Sequence, residues 1–97
     1  RVRIKYEYIL VMLPFKEKNQ DNHYIREFPA NTNETDLVWH MDDEDRTVES
    51  IGKTDWLFQF DNELPVPLNN TIFIPKHTIH RVIKGTGSLK IKLIKHG

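Results

Sequence analysis

No stretch of this chain holds a helical period, and short apolar runs alternate with turn residues along its whole length. Val2, Ile4, Tyr6 and Tyr8 alternate with Arg3, Lys5 and Glu7, the period-two pattern of a strand with one buried face. That pattern runs into residues 9–13 and stops at Pro14. Residues 16–22, rich in Lys, Asn and Asp, read as an exposed loop. Further strand candidates follow at 23–28, 36–41, 46–51, 56–60, 64–68, 71–74, 79–84 and 88–95. The breaks between them carry turn chemistry, as in Asp61-Asn62, Asn69-Asn70, Pro75-Lys76 and Gly85-Thr86-Gly87. Short strands with evenly spaced turns predict an all-β sandwich or barrel.

Ninety-seven residues suffice for one domain, spanning 1–97. Lys and Arg number 14, and Asp and Glu number 14, so the formal net charge is zero. That balance argues against nucleic-acid or membrane-surface partners, which call for a basic excess. There is no Cys, so any bound metal must be held by nitrogen and oxygen ligands. No apolar run reaches the roughly 18 residues of a membrane-spanning helix, and no signal-peptide pattern is present. A cytoplasmic protein is the expectation, with an N-terminus that is trimmed or incomplete because it begins at Arg1. A hydrophobic fraction of 38% is low for a monomer of this size. Together with the alternating segment 1–13, it predicts a homodimer made by strand exchange.

Two histidines stand out. His40 lies in Leu37-Val38-Trp39-His40-Met41-Asp42, and His80 in Thr78-Ile79-His80-Arg81-Val82-Ile83. An imidazole in a buried strand needs a partner, since burying it unsatisfied costs roughly 1–3 kcal/mol. His40 and Asp42 are two residues apart and so share one strand face. Two His and a carboxylate suit non-haem Fe, and also Zn, Mn or Ni. Equally, both histidines fit a metal-free network with Asp42 or with backbone groups. His23 and His96 sit in polar or terminal surroundings and read as exposed, and His77 reads as a surface turn residue. Trp39, Trp56 and the phenylalanines read as core or interface.

The segment 69–84 resembles the second conserved motif of the cupin superfamily. That motif runs Gly, five residues, Pro, one residue, Gly, two residues, His, three residues, Asn. Pro75 and His80 match it, while Asn69, His77 and Lys84 stand at the two Gly positions and the Asn position. Asn69 is compatible with the left-handed turn that Gly allows, whereas His77 is a poorer substitute where φ is positive. His40-Met41-Asp42 resembles the opening of the first cupin motif, with Asp42 in place of its second His. The motif's Glu falls on Arg46 or Thr47, and Gly52 lies near its closing Gly.

The resemblance covers residues 36–95 and implies a cupin-type double-stranded β-helix, a jelly-roll barrel that is often dimeric. It implies that His40, Asp42 and His80 hold a divalent transition metal (Fe, Mn, Ni or Zn). Arg46, Glu49 and Gln59 would then line a pocket for a small organic, anionic ligand. Gln59 alternates with Phe58 and Phe60, so it is expected to face the cavity while Trp56, Phe58 and Phe60 face away. Arg46 can pair with Asp42 or Asp45, or clamp a carboxylate or phosphate. The metal would make the barrel a Lewis-acid or dioxygen catalyst, with the reaction unassigned. The alternatives are a metal-free binding module and a structural barrel.

Overall fold

A five-stranded and a three-stranded antiparallel sheet face each other, and both use the strand rhythm of the sequence. The structure is a computed structural model that describes residues 13–97. The expected N-terminal strand at 1–13 therefore lies almost wholly outside the described residues. Among those residues the strands are β1 (Lys16–Asn19), β2 (Tyr24–Phe28), β3 (Asp45–Ser50), β4 (Leu57–Phe60), β5 (Val66–Pro67), β6 (Ile72–Ile74), β7 (His80–Ile83) and β8 (Leu89–His96). The larger sheet has the order β1-β2-β8-β3-β6, and the smaller has β5-β4-β7. Strands that are neighbours in space are far apart in sequence, as in β2 beside β8 and β3 beside β8. These are the long connections of a jelly roll.

Two expectations are corrected. Residues 16–22 are not simply a loop, because Lys16–Asn19 pairs with β2 in the register Lys16↔Glu27 to Asn19↔Tyr24. Its charged side chains suit an edge strand, which is why the segment resembles a loop in sequence. Residues 36–41 do not form a strand. A 3-10 turn covers Glu34–Asp36, capped by Asn33, whose Oδ1 accepts from Thr35 N at 3.0 Å. After it, only His40 pairs, through two backbone hydrogen bonds to His80 of 3.0 and 2.9 Å.

Strand parity decides what fills the interior. On β8, Leu89, Ile91 and Leu93 are buried, so every second residue points in. Opposite them stand Phe28 of β2 and Val48 of β3. Trp56 and Phe58 supply the facing wall and are fully buried. Each large apolar side chain so buried stabilises the fold by roughly 1.5–3 kcal/mol. Trp56 also satisfies its indole N–H by donating to Gly87 O at 3.2 Å. No helix of the described residues is long and apolar enough to cross a membrane.

Candidate metal centre and its cavity

His40, Asp42 and His80 converge at the mouth of the barrel, and each is placed by backbone contacts. The His40–His80 backbone pair brings the rings to 4.3 Å between centroids, edge to face. The His80 ring stacks on Phe58 at 5.4 Å. Asp42 is held from the other side, because His77 N donates to Asp42 O at 2.8 Å. His77 does so from a left-handed conformation, φ 62°, at the position where the cupin motif has its second Gly. A non-glycine residue held there costs about 1–3 kcal/mol, so the turn is retained against strain. Asp45 Oδ1 accepts from Lys76 N at 2.8 Å and ties the same two loops together. Asn69 does not have positive φ; Asn62, in the turn between β4 and β5, does.

The ring nitrogens are differentiated by their partners. His40 Nδ1 lies 3.0 Å from Val38 O, and His80 Nδ1 lies 2.7 Å from Thr78 O. A carbonyl only accepts, so both Nδ1 atoms carry a hydrogen, and in the neutral imidazole Nε2 is the atom that offers a lone pair. One donor atom from each of His40, Asp42 and His80 lies within 4.8 Å of the others. His80 Nε2 stands 3.3 Å from Asp42 Oδ2, yet that oxygen is buried and has no hydrogen-bond partner among the described residues. A proton on Nε2 or a cation between the two atoms would join them.

Electrostatics act on the trio in opposite directions. Burial pushes the His40 pKa down, as does the neighbouring His80, so His40 is held in its neutral, ligating form. Burial alone would push Asp42 up. The contact with His80 and the charge of Arg46 outweigh it and keep the carboxylate below its ordinary value, hence ionised. Arg46 Nη1 lies 3.2 Å from Asp42 Oδ1, and its Nε contacts Glu44.

The cavity behind this trio has a volume of about 290 Å³. Its floor is apolar, with Phe28, Val48, Phe58, Leu68 and Leu93 among the lining residues. Arg46 is among the lining residues. Glu49 and Gln59 are not, and both are corrections to the expected pocket. Val48 is the inward residue of β3, so Glu49 points out, near Thr71 and Lys92. Phe58 is the inward residue of β4, so Gln59 faces outward, accepting from Arg81 at 2.9 Å and donating to Glu63 O at 2.8 Å. The expected faces of β4 are thus exchanged, with the aromatic residues inside. In their place the cavity includes Glu17, Arg26, Asp36 and Lys95. Arg26 and Lys95 both carry a parity signal: Lys95 shares the parity of Leu89, Ile91 and Leu93, and Arg26 that of Tyr24 and Phe28.

No family model matches this sequence, and no curated protein matches it. Solved structures do match. A cupin-2 domain protein from Shewanella frigidimarina superposes with a TM-score of 0.58 at 17% identity, covering 91% of this chain and 86% of that one. A cupin domain from Bordetella pertussis gives a TM-score of 0.54 at 13% identity, covering 90% and 99%. Fe(II) HppE gives 0.58 at 14% identity; 89% of this chain aligns, spanning 60% of the length of that one. The chain has the cupin fold, with a His-His-Asp cluster compatible with a metal ion at the mouth of its barrel.

Proposed function

We propose that this chain is a metal-dependent cupin barrel in which His40, Asp42 and His80 hold one divalent transition-metal ion beside a pocket for a small organic ligand. The observation that carries the reading is the buried, unpartnered Asp42 Oδ2 facing an Nε2 whose ring hydrogen is already committed elsewhere. Burying an ionised oxygen without a partner is costly, and a cation answers both it and the two lone pairs. Two donors about 2.1 Å from one ion are themselves about 3.0–3.4 Å apart, a range that includes the 3.3 Å found here. Iron in the structurally similar HppE adds support of the same kind.

When bound, the ion supplies Lewis-acid or redox chemistry, with coordination positions left open by only three protein ligands. The chain's own residues set the conditions. Val38 O and Thr78 O fix the tautomer of each imidazole. Arg46 takes Oδ1 of Asp42 and thereby orients Oδ2.

Arg46 is also the observation favouring the second reading, a metal-free binding barrel, because its fixed charge already neutralises much of Asp42. Elemental analysis of the purified protein and of His80→Ala separates the two. The metal reading expects about one transition-metal ion per chain, lost in the variant. Metal-free protein after reconstitution with Fe, Mn, Ni and Zn contradicts it.

A further inference from the structure

The inner face of the larger sheet carries an unexpected set of cations. Arg26 of β2 and Arg46 of β3 flank β8, and Lys95 of β8 is directly opposite Arg46. All three line the cavity, although inward positions on these strands otherwise hold Phe28, Val48, Ile91 and Leu93. The Arg26 and Arg46 side chains are only 16% and 13% exposed. Cations at such positions are costly without partners.

Their partners are incomplete. Arg26 gives Nε to Glu17 at 2.5 Å and stacks on Phe15 at 4.2 Å, which leaves its Nη groups without a partner among the described residues. Lys95 Nζ has no carboxylate partner there and lies 4.4 Å over the Tyr24 ring. Burial lowers the Arg26 pKa, the effect expected of a guanidinium deprived of water. Among the described residues the cavity lining holds Arg26, Arg46 and Lys95 against Glu17, Asp36 and Asp42, and Glu44 also contacts Arg46. A divalent ion on His40, Asp42 and His80 would add two positive charges beside these cations.

We propose that Arg26 and Lys95 form an anion-binding wall for a small carboxylic acid with a short apolar tail, taken up tightly once the metal is in place. This rests on the metal reading above. Three features select the ligand. The Nη edge of Arg26 matches a carboxylate and gives charge-assisted, bidentate hydrogen bonds. The added charge of the ion beside Arg26, Arg46 and Lys95 favours an anion. The apolar floor takes a hydrocarbon tail, and 290 Å³ is near the lower limit of small-molecule pockets, so the tail is short. Because metal and carboxylate each compensate the charge of the other, each strengthens the binding of the other by the same factor.

Isothermal titration with zinc chloride, then sodium hexanoate, then hexanamide tests this. Hexanoate is expected to bind the zinc-loaded protein at least about tenfold more tightly than the zinc-free protein, while hexanamide binds neither. Arg26→Gln and Lys95→Gln are each expected to weaken hexanoate by about tenfold or more while retaining zinc. Lys95→Gln keeps the test valid if loss of the Arg26–Glu17 pair disturbs folding. Zinc binding with equal affinity for hexanoate and hexanamide, or with full hexanoate affinity in the folded Lys95→Gln variant, overturns the carboxylate wall and leaves the metal reading intact. Failure to bind zinc, and Fe, Mn or Ni in its place, overturns the metal reading, and the coupling falls with it.

Discussion

The two ends of the barrel interior have opposite character. At the closed end Trp56 is fully buried, its ring is 5.6 Å from Phe28, and its one polar atom donates to Gly87 O. At the mouth His40, Asp42, His80 and Arg46 lie within the same barrel, and Asp42 Oδ2 is left without a hydrogen-bond partner among the described residues. Phe58 and His80 join the two, stacked at 5.4 Å. Among the described residues no buried side-chain nitrogen or oxygen at the closed end lacks a hydrogen-bond partner. The mouth accepts an unsatisfied carboxylate, and that is a local violation of packing rules characteristic of a working site.

Substitutions at each end sharpen this contrast. The largest effect is expected at the closed end, where Trp56→Ala removes a wholly buried indole and should cost about 3–5 kcal/mol, measured by urea unfolding. Fold and metal should be lost together in that variant. Gly85→Ala comes next. A Cβ there would sit 2.3 Å from Asp55 Oδ1 and 2.8 Å from Trp56 N, so the strand-like loop before β8 must move. An overpacking cost of about 1–3 kcal/mol is expected, visible as a lower melting temperature.

At the mouth the expected order reverses. His80→Phe keeps a ring against Phe58 and removes the Nε2 ligand, so stability should change by less than about 2 kcal/mol while bound metal disappears. Equal loss of stability and metal in this variant would erase the distinction between the two ends. The smallest effect concerns Asp55 beside the closed end. Its pKa is depressed because the Thr86 hydroxyl and N–H both donate to it, at 2.7 and 2.8 Å. A depressed carboxyl contributes stability above its unfolded pKa of about 3.9 and loses it as pH falls through the lower folded value. Asp55→Asn should therefore flatten the acid limb of a thermal-melt profile below about pH 4 and leave the neutral region similar in slope.

Much of this was legible in the sequence, for identifiable reasons. The strand rhythm survives because one apolar face per strand is a demand of the core, and β8 shows it without interruption at Leu89, Ile91 and Leu93. His40 and His80 stand out in sequence as polar groups in apolar runs, although only His80 lies in a strand and His40 forms an isolated bridge to it. The inward position of Arg46 follows from the parity of Val48. Glu49 and Gln59 were misplaced because parity is absolute: one residue of error exchanges the faces, as it did on β4. Arg26 shares the inward parity of Tyr24 and Phe28, but Ile25 on the other face blurs the alternation, and its pairing with Ile91 places it against the cavity. Segment 36–41 failed as a strand because its backbone is spent on a 3-10 turn and one bridge to His80, a partner forty residues away that local pattern does not register.

The most direct test is a crystal of the zinc-loaded protein measured on both sides of the zinc absorption edge. The account predicts one anomalous peak bounded by His40 Nε2, His80 Nε2 and Asp42 Oδ2, at about 2.0–2.2 Å from each. A loaded crystal with no peak there, or with zinc only on the outer acidic turn at Asp43 and Glu44, would contradict it.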